Sequence, residues 1–495
     1  MNQKRSLCSS VALFALGALS VGVACAPPSV MSGNDVPSRD AIVAQGDMPA
    51  APHDVPQPSD MTVVEDTGSG DDARVPPGLT WWGTIKPLFE QTCTTCHSPT
   101  GIAPMPLESL EQVRPFARLI ASQTTNRIMP PWMPREGCRD INNSRALTDA
   151  EIAQISQWVT AGMPEGNMAE YQAPGPRAGT VRPLPARDGD IVVRPAAAYL
   201  PNQRTTDDYH CFVMDPALTE SRDVIGVRVT AGNARIVHHV ILFEVRTGGL
   251  AQLQRLDDAE PGPGYTCFGS SGVDPNFRAG TGGDLVDTDV QMVTGWAPGG
   301  VAGYLPVGTG IRLKPGSRLV MQVHYNMQMS TRNMNDQSKV ELFLGEPGTT
   351  QQAFWLPQAN QDFLIPANVG PMDPRARVTT SFRAMQLPVR IFGVAPHMHV
   401  RGSSIHVDIT TGAGVNNCMV DIPRWDFHWQ QAFFFRTPYR LGVGANGDTL
   451  RTTCVFDNRP ENQPFVDGVQ VQSRDLRWGE NTTDEMCLNF YYVSI

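Results

Sequence analysis

Cys93-Thr94-Thr95-Cys96-His97 sets two thiols and an imidazole within one short stretch. That spacing is the attachment signature of haem c: both cysteines form thioethers to the vinyl groups, and the adjacent histidine becomes the proximal iron ligand. A thioredoxin-like dithiol would sit in a βαβ pattern, and a zinc site would need a second ligand pair nearby. Neither surrounds this motif. The second axial ligand is expected to be Met129, in Ile128-Met129-Pro130-Pro131-Trp132, with Met105, Met133 and Met163 as alternatives.

Of ten histidines, five fall in three short β-like motifs. His238-His239 lies in Ile-Val-His-His-Val-Ile-Leu-Phe, and His324 in Val-Met-Gln-Val-His-Tyr. His397-Met398-His399 would project both imidazoles from one face of a strand. Adjacent His238 and His239 would point to opposite faces of a regular strand, so for both to reach one ion the strand must end or bulge there. Imidazoles alone leave zinc, iron, nickel or copper open, whereas a thioether narrows the choice towards Cu(I). Met486, in Asp484-Glu485-Met486-Cys487, is the candidate.

His-His, His, His-x-His and Glu-Met-Cys, in that order over 205–495, resemble the copper type II, ascorbate-dependent monooxygenases, whose best-known members are peptidylglycine α-hydroxylating monooxygenase and dopamine β-monooxygenase. Trp296-Ala297, Gly316 and Val323-His324-Tyr325 also match the family's wording. The resemblance implies two jelly-roll subdomains with one copper each. His238, His239 and His324 match the three-imidazole electron-transfer copper, and His397, His399 and Met486 the oxygen-activating copper. It also implies disulfides Cys211–Cys267 and Cys454–Cys487, and leaves Cys138 and Cys418 without an assigned partner. Enzymes acting on peptidylglycine clamp the substrate carboxylate with Arg, Asn and Tyr at positions that here are Ala395, Leu488 and Phe490. A glycine-extended peptide is therefore not the expected substrate. Residues 79–171 resemble a class I cytochrome c, which is absent from those animal enzymes.

The elements that would hold these residues follow from local pattern. Ile85, Leu88, Phe89 and Cys93 fall at helical spacing, as do Leu110, Val113, Ala117 and Ile120. Thr148-Asp149-Ala150-Glu151 is a capping box ahead of Ile152, Ile155 and Val159. Beyond a Pro/Arg/Gly-rich linker at 172–190, Ile225–Thr230, Ile236–Val245, Arg318–Asn326 and Val389–Val394 read as strands. The expected fold is multidomain: a small all-α cytochrome c-like haem domain (79–171), then all-β tandem jelly-roll sandwiches at 191–355 and 356–495.

Composition agrees with that reading. The 45 Gly and 42 Pro favour short strands joined by turns. The net charge of −10 is concentrated between Ala26 and Asp72, where nine acids face Arg39 alone. The remainder is nearly neutral and has no basic stripe, which argues against nucleic acid as a partner. Lys4 and Arg5 followed by the apolar run Val11–Ala24 read as a signal peptide over 1–25. Cys25 stands where a lipoprotein signal places its modified cysteine, without the usual Leu three residues earlier; residues 26–78 form an acidic, Pro-rich tether. The expected location is exported, periplasmic or on the outer surface, with a lipid anchor to the membrane if Cys25 is modified.

The resulting expectation is a copper-dependent monooxygenase holding two copper ions and one covalently bound haem c. It would use O2, a small-molecule or peptide substrate that the sequence does not name, and ascorbate or a redox protein as electron donor. Two rivals are a non-catalytic haem/copper electron-transfer or copper-holding surface protein, and a haem-copper reductase of nitrogen oxides. His53 is expected in the tether, and His210, His406 and His428 are expected to be structural. Asp421 and Trp425-Asp426-Phe427 could line a pocket, but packing is the expected role.

Overall fold

The computed structural model describes residues 78–495, apart from 100–102, 143, 176–181, 274–287, 299, 301, 328, 347 and 385–387. The signal over 1–25, Cys25, His53 and the tether up to 77 lie outside the described residues.

The first part is helical. Pro87 opens the helix Lys86–Thr92, which delivers Cys93 at its C-cap. Leu110–Val113 and Ala117–Thr125 are separated by a 3-10 turn at Arg114–Phe116, because Pro115 cannot continue the ladder of hydrogen bonds. Asp149–Thr160 starts at the expected capping box, with Thr148 and Glu151 each accepting the other's backbone N–H. Trp81, Ile85, Phe89, Val113, Ile155 and Trp158 are buried together, and Cys93, Met105 and Met163 pack against them.

From Ile191 onward the chain is mostly β. One long sheet carries, in spatial order, Ile191–Val193, Lys339–Leu344, Arg222–Thr230, Thr309–Leu313, Gln351–Asn360, Cys487–Ser494, Arg390–His397 and Phe433–Arg440. A five-stranded sheet, Tyr265–Thr266, Asp207–Met214, Arg318–Asn326, Val237–Val245 and Val290–Trp296, faces its first half across a core of Val240, Leu242, Val323 and Tyr325. A four-stranded sheet, Arg377–Arg383, Thr449–Phe456, Gly402–Thr410 and Asn416–Ile422, faces the second half across Val394, Ile405, Phe433 and Tyr491. The result is two sandwiches sharing one sheet. The expected division at 355/356 falls inside the strand Gln351–Asn360, whose start pairs in parallel with Thr309–Leu313.

That seam is reinforced by charge. Arg312 makes a bidentate pair with the buried Asp223 at 2.8 and 3.0 Å, and Thr350 donates to the same carboxylate. Burial pushes the Asp223 carboxyl up, but the hydrogen bonds from Arg312 and Thr350 outweigh it and leave the group below its usual 3.8. A folded value below the unfolded one means that this stabilisation is complete above pH 3.8 and is lost as pH falls through the folded value. Acid-induced unfolding followed by circular dichroism should therefore lose part of its steepness below that pH in Asp223→Asn.

All six cysteines of the β region and its preceding strap are paired. Cys211–Cys267 and Cys454–Cys487 form the two expected bridges, and Cys138–Cys418 forms a third. Three disulfides fit an oxidising, extracellular setting. The third joins the helical part to the C-terminal sandwich, a contact absent from the expected picture of a small separate domain on a linker. Around it, Ile141 bridges Phe435, Asn142 donates to the Phe434 carbonyl at 2.6 Å and Arg436 to the Asp140 carbonyl at 2.9 Å. Trp132 packs edge-on against Phe433 at 5.4 Å.

Candidate metal centres

His238 and His239 lie near the start of Val237–Val245, and His324 lies in the neighbouring strand Arg318–Asn326. The register runs Val237↔Tyr325 and then His239↔His324, so His238 is the extra residue of a β-bulge. The bulge turns His238 onto the side of its neighbour. One nitrogen from each of the three rings lies within 4.8 Å of the others. The His239 Nδ1 is 3.4 Å from both His238 Nδ1 and His324 Nδ1. Two imidazole nitrogens sharing an ion tetrahedrally, with bonds of about 2.0–2.1 Å, stand about 3.3–3.4 Å apart, so the spacing fits a shared ion.

The tautomer of His324 is fixed by Asp207. His324 Nε2–H donates to Asp207 Oδ1 at 2.8 Å, leaving Nδ1 with its lone pair towards the other two rings. Burial pushes the Asp207 carboxyl up, but hydrogen bonds from His324, Thr482 and Asn326 overcome it and hold the group below the usual carboxylate range. Tyr209 stacks on His324 with ring centres 4.0 Å apart, and its hydroxyl donates to the Glu480 carbonyl at 2.5 Å. Asp207→Asn should preserve the bulk while weakening this orientation. Metal affinity of the three-histidine cluster should then fall about 10–100-fold, as for other outer partners of metal-bound histidines, in a competition titration against a chelator.

The second pair is built from the edge of the other sandwich. His397 ends the strand Arg390–His397, and His399 follows it in a turn, so the two rings do not share a regular strand face. Their centres are 5.1 Å apart and their planes nearly perpendicular. His397 Nδ1–H donates to Gln430 Oε1, and His399 Nδ1–H donates to the Asp484 carbonyl at 3.2 Å. Both Nε2 atoms remain available as donors to an ion. The buried Met486 immediately precedes the strand Cys487–Ser494, which pairs His397 with Leu488. Glu485 fixes the turn by accepting the backbone N–H groups of His399 at 2.9 Å and Arg401 at 2.7 Å.

Electrostatics agree with a role as neutral ligands. Burial, with lesser repulsion from neighbouring imidazoles, holds His238, His239 and His399 well below the ordinary histidine value. Burial likewise lowers His397 to about 4. Neutral imidazole is the form that binds a metal.

Other expected residues separate clearly. His210 stacks on Tyr199 at 4.1 Å and bonds the Pro263 carbonyl at 2.9 Å. His406 bridges Asp421 at 3.1 Å and Asp408 at 3.5 Å, and His428 is exposed. Phe427 does more than pack: its ring stacks on His238 at 4.3 Å and meets His399 edge-on at 5.8 Å. The sequence offers Phe427 as a pocket-lining residue but not its contact with both histidine pairs, and it carries no signal for Asp207 or Gln430, since nothing in their local patterns marks them as neighbours of a ligand.

In the helical part, His97 Nδ1–H donates to the Met105 carbonyl at 3.0 Å. Cys93 and Cys96 stand outside the three disulfides, and Met129 is half-buried at the start of the strap that leads to the C-terminal sandwich.

The histidine clusters are donor sets for metal ions, and one part of the chain matches a protein family. Residues 364–494 match the family described as copper type II ascorbate-dependent monooxygenase, C-terminal domain, a span that contains His397, His399 and Met486. Among solved structures, the chain is similar to the VP2 subviral particle of infectious bursal disease virus: 10% identity, 63% of this chain and 74% of that chain covered, TM-score 0.18. It is also similar to allantoicase: 10% identity, 58% and 84% covered, TM-score 0.15. Likeness at those scores carries no argument about fold or function.

Proposed function

We propose that the chain is an exported copper-dependent monooxygenase that hydroxylates a C–H bond of its substrate with O2, taking electrons through its own haem c. The observation that carries this reading is the pairing of two unlike donor sets. One is a cage of three imidazoles; the other is the imidazole pair His397 and His399, within a span matching the copper monooxygenase family, with Met486 proposed as its thioether.

When bound, copper would supply O2 activation and one-electron redox change at these sites, and haem would supply a further electron store. The chain's own contribution is orientation. Gln430 and the Asp484 carbonyl hold the Nδ1–H groups of His397 and His399, so that both rings offer Nε2. Met486 adds the soft donor that favours Cu(I). Asp207 holds His324 in the tautomer that offers Nδ1. Phe490 is the cross-strand partner of Ala395, and Leu488 of His397, so these apolar side chains share the sheet face beside the ligand. The three positions that would clamp a substrate carboxylate, Ala395, Leu488 and Phe490, therefore carry no charge.

For the haem, the Met105 carbonyl lies on the Nδ1 edge of His97, away from the Nε2 that would face iron. This favours Met129 over Met105 as the second axial ligand. Cys93 and Cys96, being outside the disulfides, suit thioether attachment.

The test is incubation of the fully reduced, metal-loaded chain with 18O2 and panels of uncharged small molecules and peptides. The expected result is a product carrying one labelled oxygen, formed in proportion to O2 consumed. Oxygen uptake yielding only peroxide or water across the panel, or anaerobic reoxidation by nitrite at the rate expected for turnover, would contradict it.

A further inference from the structure

The short segment Asp426–Gln431 touches the helical part and both histidine centres. On one side it meets the helical part: the Asp426 N–H donates to Met133 Sδ at 3.2 Å, four residues beyond Met129. Arg145, which precedes the capping box of Asp149–Thr160, donates to Gln431 Oε1 at 3.1 Å. On the other side it meets both histidine centres. Gln430 accepts from His397, and its amide donates to the Phe427 carbonyl at 2.7 Å. The Phe427 ring contacts His238 of one centre and His399 of the other. The disulfide Cys138–Cys418, the Arg135–Asp421 ion pair and the edge-on contact of Trp132 with Phe433 hold the helical part's strap against the same sandwich.

We propose that Asp426–Gln431 is the electron junction of the molecule, with Phe427 as the contact that joins the two histidine centres. The inference rests on the copper and haem assignments above and adds their route. Each passage moves one electron: ferrous haem becomes ferric and one Cu(II) becomes Cu(I), with no bond made or broken and no proton transferred. The aromatic ring is neither oxidised nor reduced; it fills the gap between ligand rings with packed atoms, and transfer depends on how closely the intervening groups pack. A junction of this kind makes transfer between the centres independent of bound substrate.

The experiment uses the full chain with covalent haem and both coppers loaded as Cu(II), under anaerobic conditions and without substrate. A photoreduced flavin reduces the haem in a short pulse, and the decay of the ferrous haem band is followed together with loss of the Cu(II) electron paramagnetic resonance signal. In the wild type the decay should be independent of protein concentration. In Phe427→Leu it should slow several-fold with copper content and thermal midpoint retained, and Phe427→Trp should restore it. Gln431→Ala, which cuts the Arg145 contact, should slow it as well. An unchanged decay in Phe427→Leu overturns the inference, as does an unchanged decay in Gln431→Ala if the Phe427 variant loses copper. A wild-type chain that lacks covalent haem or Cu(II) overturns the parent assignments and this route with them, before any variant is compared.

Discussion

Replacing Met486 with isoleucine should abolish turnover while leaving the haem spectrum and the three-histidine copper in place. The side chain is buried beside the disulfide cysteine Cys487, and the replacement has similar bulk. A volume-conserving swap in a packed site usually costs less than about 1.5 kcal/mol, so folding should survive. On the proposed assignment, what is lost is the soft donor of the His397/His399 centre. Substituting residues that merely orient a metal ligand already costs about 10–100-fold, so removing a direct ligand should cost more than about 100-fold in activity. Oxygen uptake with metal analysis on the same sample checks this. Retained turnover would show that the sulfur is packing and not a ligand.

His324→Ala should have the second largest effect. It removes one ring of the imidazole cage and the histidine partner of Asp207. The buried carboxylate keeps Thr482 at 2.6 Å and Asn326 at 3.2 Å, so the protein should remain folded with a lowered thermal midpoint. Losing a hydrogen bond to a charged group costs about 1.5–3 kcal/mol, and each kcal/mol is about 2–4 °C in a domain of this size. Copper content should fall from two to one, with the remaining ion at His397, His399 and Met486. Turnover should be lost, because the electron supplied by the first centre is no longer available. A chain that still binds two coppers would contradict the cage.

What the sequence could reveal here was set by distance along the chain. Cys93-x-x-Cys96-His97, His238-His239 and His397-x-His399 are each complete within a few residues, so their chemistry is legible locally. The bulge at His238 follows from asking two adjacent side chains to face one ion, and the register His239↔His324 supplies it. Strand positions were legible for the same reason: Arg318–Asn326 has its expected bounds, and Val237–Val245 differs by one residue.

The illegible features are the long-range ones. Cys138 and Cys418 are separated by 280 residues, and no local pattern could pair them. The clamp they make turns a tethered helical segment into one fixed against the C-terminal sandwich. Asp207, Gln430 and Phe427 are of common residue types, and their roles arise from which elements happen to meet. Asp207 reaches His324 across neighbouring strands, whereas Gln430 and Phe427 reach the histidines from a turn. His397-x-His399 shows the converse: its spacing suggested one strand face, yet the strand ends at His397 and the turn held by Glu485 sets the second ring perpendicular to the first.

X-ray absorption at the copper edge, on the Cu(I)-loaded full-length chain and on Met486→Ile, tests the central claim most directly. Two unlike centres predict two coppers per chain, an averaged first shell dominated by imidazole nitrogen, and a sulfur contribution of one atom per two coppers that disappears in the variant. A single copper per chain, or a sulfur contribution that is absent from the wild type or persists in the variant, would contradict it.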